Sequence, residues 1–385
     1  MTQTIVILGA GIAAIPVAHY LLAHTAPKLK DGLKIILVSP NTHVYWCFAA
    51  VRGILPDMVP DDKMFHPVTE SFAKYPKGQF EHVLGQAIQL TPESNSVLVR
   101  ENDGAERTVT YDELIIATGS VYKDTPLKNI GTTEQTRAAL RDYNKKIESA
   151  KSIVVAGAGF TGVELAGELG EEYAQHGLKE VTLIADGTLP FSSDIKTDVR
   201  ATAKRELENL KVKVLVNRKV TGTSQKGAKT VIELDGGKET ITTDLFLPTF
   251  GIIPNTSFVP AELLDARAYV KQTSSLQVQG QENVYVIGDA GNLQSATGKA
   301  ADMEAVHLAR GLDAKLVSKV PVGELKVDPK VIFAVALGKR KGTGQMGNWK
   351  LWSFLIAWLK SKNLGTDTAR DYVNGAKTMT EKKWT

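Results

Sequence analysis

Cysteine is nearly absent. Cys47 stands alone among 385 residues, so neither an intramolecular disulfide nor a Cys-rich metal site can form, no metal is expected, and a reducing, cytoplasmic setting is the default. Long apolar runs are also lacking. The run at 349–359, WKLWSFLIAWL, has eleven residues and is too short to cross a bilayer. The start, MTQTIVILGAG, is strand-like from the fifth residue, so no signal peptide is expected; Thr2 in place of glycine argues against N-myristoylation. A strong charge of either sign is missing too, the net being +4. From Lys339 onward there are ten basic residues against three acidic ones, Asp367, Asp371 and Glu381, so the body before the tail is slightly acidic. That distribution argues against a nucleic-acid-binding core, which needs a basic stripe across folded elements. The tail and the 349–359 run suit either an anionic membrane surface or a solvated tail beside an apolar helix, packed on the body or at a dimer contact.

What is present is a repeated device. An apolar run at 5–8, the turn GAGIAA, a helical stretch and LKIILV at 33–38 make a βαβ start. The same order recurs as SIVVA at 152–156, GAGFTG, a helical stretch and VTLIA at 181–185. Between the copies, YDELIIATG at 111–119 reads as a strand ending in a Thr-Gly turn; after the second come GIIPNT at 251–256 and NVYVIGDA at 283–290. This pattern predicts an α/β chain with two Rossmann-like dinucleotide-binding domains, the first interrupted by the second. The bounds read as 1–120 with 247–325, 121–246 inserted, and a small α+β region over 326–385.

Each glycine turn needs its residues for a physical reason. Gly9 and Gly11 allow a tight turn and close approach of backbone N–H groups to a pyrophosphate, with Ala14 in the third small position. Ser39 follows the second strand where an acid usually grips the ribose; it brings a hydrogen bond without charge. Gly157, Gly159 and Gly162 complete GxGxxG in the second copy, and Asp186 supplies an acid one position later than usual, leaning to NADH without excluding NADPH. Glu164 lies in the first turn of the following helix. A carboxylate there gains from the helix dipole, but a pyrophosphate at the same end would repel it, which points to work near the nicotinamide or flavin, with simple capping as the alternative. Asp289, after Gly288, is placed to accept hydrogen bonds from a ribityl chain. The helix read at 299–312 would aim its positive end at a reduced ring. Lys299 at that end is either a residue beside the flavin or acceptor, or a snorkelling surface lysine.

Two dinucleotide folds, ATG at 117–119, GIIPNT and a closing GDA, in this order, resemble the pyridine nucleotide-disulfide reductase superfamily along nearly the whole chain. HVYWCFAAVRG, GFTGVELAGEL and the segment from ALGKRKGTGQMG to AKTM are similar to the apoptosis-inducing-factor-like group, especially the ferroptosis-suppressor proteins, with type II NADH dehydrogenases as cousins. The resemblance implies FAD in the interrupted domain, held with help from Ala117, Thr118, Gly119 and Arg52. It implies NADH or NADPH in the inserted domain, and Gly251, Pro254 and Asn255 of the GIIPNT motif are further expected cofactor contacts. It implies Glu164 and Lys299 near the flavin and a quinone as small-molecule acceptor. Ser39, Thr2 and Cys47 depart from the pattern.

The expected mechanism is ping-pong hydride transfer through the flavin. Three rivals stand beside it. Cys47 could act as the thiol of an NADH peroxidase or oxidase if a helix end lowered its pKa. The basic tail could dock an electron-carrier protein. A redox-signalling flavoprotein, or a tailoring oxidoreductase in a biosynthetic pathway, would carry the same motifs.

Overall fold

The computed structural model describes residues 2–123 and 125–385. The chain begins with strand β1 (Gln3–Leu8), helix α1 (Ala14–Tyr20), β2 (Leu33–Val38) and β3 (Phe80–Val83). An antiparallel three-stranded meander over 85–110 leads into β4 (Glu113–Ile116). A two-residue strand, β5 (Ser120–Val121), carries the chain to the second lobe through α2 (Thr133–Ser149), whose first turn is closed by a Thr132–Gln135 capping box. The second lobe runs β6 (Ser152–Ala156), α3 (Phe160–Glu172), β7 (Glu180–Ile184), α4 (Thr197–Asn209), β8 (Lys213–Leu215), a second meander over 220–243, and β9 (Leu245–Pro248). The return passes through β10 (Ile253–Pro254), and β11 (Val284–Val286) and α5 (Gly298–Ser318) complete the first lobe. A last unit follows: β12 (Ile332–Leu337), β13 (Lys341–Met346), β14 (Trp349–Lys350) and α6 (Ser353–Ile356).

The two main sheets share one plan. The first has the parallel order β11-β4-β1-β2-β3, the second β8-β7-β6-β9. In each, the chain reverses its direction of sheet-building beside the first strand, at β1/β4 and at β6/β9, and such a switch point opens a crevice beyond the strands' carboxyl ends. The central strands are covered on both faces, which is why they read as unbroken apolar runs: Ile5, Val6 and Ile7 are fully buried, as are Val155 and Ala156.

The crossing strands β5 and β10 pair antiparallel, Ser120 opposite Pro254 and Val121 opposite Ile253. The return into the first lobe therefore comes at 253–254, later than the 247 read from sequence. Leu245–Pro248 pairs with β6, in register from Ile153↔Leu245 to Ala156↔Pro248, and belongs to the second lobe. The 349–359 run also differs from its expectation. It is a short strand, one helical turn and a π-helical turn (Ala357–Ser361), because Ile356 and Ser361 turn inward while its aromatic residues face outward.

Candidate active site

The first crevice is shaped by small residues. Gly9 has φ +106°, and a Cβ there would lie 2.3 Å from the Ala117 carbonyl oxygen, so only glycine lets β1 leave the sheet this close to β4. A Cβ on Gly11 would meet nothing within 4 Å; its backbone faces open space, as a loop that cradles a pyrophosphate requires. Ala14 is fully buried where α1 meets α5, and Gly288, at φ +70°, sits 3.2 Å from the Ala13 Cβ by the same construction. Gly9, Gly11, Ala14, Ala117, Thr118, Gly119, Gly288 and Asp289 thus gather at the carboxyl ends of β1, β4 and β11. These residues fit a flavin dinucleotide. Ser39 lies at 3% exposure, and its hydroxyl accepts the Asn41 N–H at 3.2 Å, so it closes a turn and offers no charge.

The second crevice repeats this chemistry. Gly157, at φ +101°, abuts the Thr249 hydroxyl, and a Cβ on Gly162 would fall 1.8 Å from the Gly157 carbonyl oxygen. Gly159 caps α3, and a Cβ there would again meet nothing within 4 Å. Asp186 is exposed just beyond β7. Two arginines lie near it, and both are committed. Arg200 donates to the Pro190 and Leu189 carbonyls at 3.0 and 3.3 Å, and Arg218 reaches Glu239 at 3.1 Å.

Between the crevices lies a polar cluster. Asp289 Oδ2 accepts the Ser120 hydroxyl at 2.8 Å and pairs with Lys128, whose ammonium also donates to Ser120 Oγ at 2.6 Å. Burial opposes the charge of Lys128, but Asp289 outweighs it and raises the lysine pKa; the cation is fixed. Tyr122 donates to Thr161 Oγ1 at 3.1 Å, linking the crossing segment to the first turn of α3. Cys47 begins a short 3₁₀ turn beside this cluster. Burial pushes its thiol pKa up, Lys128 pulling the other way and Asp289 raising it further. The turn and the four-residue helix behind it supply little dipole to offset that burial. Lys299 lies in the first turn of α5, half-buried, and has no hydrogen-bond or ion-pair partner among the described residues.

Two assigned residues have other occupations. Arg52 is 4% exposed and forms a two-pronged bond to Glu168, both contacts at 2.7 Å, while donating to the Ser361 and Lys362 carbonyls at 2.6 and 2.9 Å. Its guanidinium clamps the C-terminal unit onto α3 and is not free for a flavin. Glu164 accepts the Ala336 N–H at 3.0 Å and pairs with Lys360 at 2.6 Å. It is thus paired with a lysine distant in sequence and holds the backbone of β12, rather than standing free in the first turn of α3. Asn255 accepts the Thr118 hydroxyl at 2.7 Å, donates its amide to the Thr118 carbonyl at 3.0 Å, and bonds Gly119 through its backbone at 2.9 Å. With Pro254 in β10 and Gly251 at φ +72° in the preceding turn, it ties the two crossings together.

Sequence reasoning missed Lys128 and Ser120, which sit in no motif. It also missed Glu168, although a second acid four residues after Glu164 on a helix as apolar as GVELAGEL signals a buried charge in need of a cation. Asp302 was missed for the same reason. It is fully buried, and its carboxylate accepts Tyr372 and Thr380 hydroxyls at 2.9 and 2.7 Å and the Met379 and Thr380 N–H groups at 3.0 and 2.9 Å.

Comparison with known proteins agrees with this geometry. The profile of the Pyridine nucleotide-disulphide oxidoreductase family matches residues 3–307. The oxidoreductase ptaL of Pestalotiopsis fici is 36% identical over 374 residues, spanning 97% of this chain and 99% of that protein. Ferroptosis suppressor protein 1 of Xenopus tropicalis is 27% identical over 94% of this chain and 93% of its own. Among solved structures, NDH2 from Plasmodium falciparum in complex with NADH superposes with a TM-score of 0.74 at 14% identity, covering 99% of both chains.

Proposed function

Because the chain belongs to the Pyridine nucleotide-disulphide oxidoreductase family and uses FAD with a nicotinamide nucleotide, we propose that it is an NADH:quinone-type oxidoreductase working by a ping-pong cycle. The observation that carries this reading is the pair of open glycine turns, at Gly11 and Gly159, on two lobes whose crossing strands are pinned side by side. Bound FAD supplies the ring that accepts a hydride and releases electrons. Gly9, Gly11 and Ala14 hold its pyrophosphate, and Asp289 accepts hydrogen bonds from its ribityl chain. Lys128 keeps a positive charge beside that carboxylate, and the first turn of α5, with Lys299, adds a positive helix end.

On the other lobe, Gly157, Gly159 and Gly162 hold the nicotinamide nucleotide. Asp186 favours the free 2′-hydroxyl of NADH, and the two arginines nearby already have partners, Arg200 in the Pro190 carbonyl and Arg218 in Glu239. A quinone-type acceptor is supported by the thiol chemistry: with one cysteine, its pKa raised, the chain has no disulfide relay through which electrons could leave.

Stopped-flow reduction of the FAD-loaded protein by NADH and by NADPH, followed by mixing with short-chain quinones, oxygen or peroxide, tests the reading. NADH is expected to reduce the protein faster than NADPH, quinones to reoxidise it faster than oxygen or peroxide, and Cys47→Ser to retain quinone turnover. Reoxidation by peroxide that outpaces every quinone and disappears in Cys47→Ser would replace it with the peroxidase reading.

A further inference from the structure

The C-terminal unit turns its apolar side chains the wrong way for a core. Trp349, Trp352, Phe354, Trp358 and Leu359 are 77, 70, 69, 73 and 61% exposed, and the rings of Trp352 and Phe354 stack on each other at 5.8 Å. The inner side of the same segment is already packed: Ile356 is 1% exposed against Gly342, and Ser361 is fully buried with its hydroxyl on the Lys341 carbonyl at 2.7 Å. An outward patch of five large side chains marks an interaction surface.

Charge narrows the partner. Between residues 329 and 366 there are seven lysines and arginines and no aspartate or glutamate. Lys339, Arg340 and Lys341 form the β12–β13 turn, which the Ser361–Lys341 bond joins to Lys362, all exposed. Tryptophan, apolar in body and with one N–H to satisfy, is suited to the headgroup level of a bilayer, and a basic rim is attracted to anionic headgroups. No helix among the described residues is long and apolar enough to cross a membrane, so contact must be peripheral.

We propose that the face formed by Trp349, Trp352, Phe354, Trp358 and Leu359 docks on an anionic lipid surface, with Lys339–Lys341 and Lys362 meeting the headgroups. The segment that would touch lipid is the one whose inner side holds Lys360 against Glu164 and the Ser361 and Lys362 carbonyls against Arg52. Lipid contact therefore lies one segment away from α3 and the second crevice. This inference stands on the exposed face alone and does not depend on the quinone reading.

The test uses the FAD-loaded full chain and vesicles of phosphatidylcholine, with and without phosphatidylserine. Sedimentation is expected with the anionic vesicles, at least about tenfold tighter than with neutral ones, weakening as salt rises. A blue shift in tryptophan emission should accompany it. Trp46 and Trp384 are buried at 4%, so the shift reports Trp349, Trp352 and Trp358. The triple variant Trp352→Ser/Phe354→Ser/Trp358→Ser should lose vesicle binding by about a hundredfold while its flavin is still reduced by NADH at the parent rate. Equal binding to neutral and anionic vesicles, or no binding to either, overturns the proposal. So does a dimer that the triple variant dissolves without any vesicle binding, which would assign the face to a second copy of the chain.

Discussion

Glu304, in the second turn of α5, accepts the Gly288 N–H at 2.7 Å and the Gln294 amide at 2.9 Å from a position 2% exposed. Burial pushes its pKa up to about 7 from 4.5, those two hydrogen bonds restraining the shift and Asp289 adding to it. Its folded pKa lies above its unfolded one, so the folded state holds the proton more tightly. The stability this contributes is complete below the unfolded value and is lost as pH rises through about 7. Glu304→Gln, which imitates the protonated form, should therefore match the parent in urea unfolding below pH about 4.5 and exceed it by up to about 3 kcal/mol above pH about 8. A difference independent of pH would show that the carboxylate does not titrate where its burial places it. At this scale the sequence was informative only where backbone geometry demands one residue type. Gly9 and Gly162 could be read because a Cβ would collide with main chain, and Gly157 because its φ of +101° is one that other residues rarely adopt. Glu304 and Lys128 could not, since their charge states depend on neighbours brought in by the fold.

Helix α3 presents three acids, Glu164, Glu168 and Glu171, toward the C-terminal unit. Glu164 takes Lys360, Glu168 takes Arg52, and Glu171 takes the Lys339 N–H. Gly167 lets the backbone of β12 approach, since a Cβ there would sit 2.9 Å from the Leu337 Cα. The Arg52–Glu168 pair is buried at both ends, and removing one partner leaves an uncompensated charge. Arg52→Met is expected to destabilise the protein by about 3–5 kcal/mol and to expose residues 357–366 to protease. Arg52→Met combined with Glu168→Leu should recover much of the loss, because replacing both charges with apolar groups removes the desolvation cost as well. Thermal melts of the three proteins check this, and a double variant as unstable as the single would refute the argument. The strands and α3 were legible from apolar runs and glycine spacing. The 349–359 segment was not, because an all-round apolar pattern signals a helix equally well whether the apolar side faces a core or the outside.

The whole molecule is two crevices whose relative placement depends on two short crossings. Asn255 makes three hydrogen bonds across them, to Thr118 and Gly119. Asn255→Ala keeps the backbone bonds and loses the side-chain amide, so each lobe should bind its nucleotide nearly as before while ring-to-ring alignment loosens. The expected outcome is an unchanged FAD affinity and a hydride-transfer rate constant lower by about tenfold. Stopped-flow kinetics at saturating NADH distinguish this from a binding defect. The interrupted arrangement was readable because the second lobe repeats the order of the first. The point of return was not, since β9 is apolar and precedes a glycine just as a strand of either lobe would.

The carboxylate of Asp302 has a temporal consequence. Its partners Tyr372, Thr378, Met379 and Thr380, like Trp384, whose indole N–H bonds the Pro16 carbonyl at 2.8 Å, are translated some seventy residues or more after the groups they satisfy. A chain cut before Tyr372 would lack every one of these partners, leaving the Asp302 carboxylate to water and the α5 face around it uncovered. The last fourteen residues thus act as a seal on the first lobe, and a chain truncated before Tyr372 is expected to be cut within 298–318 faster than the full chain in limited proteolysis.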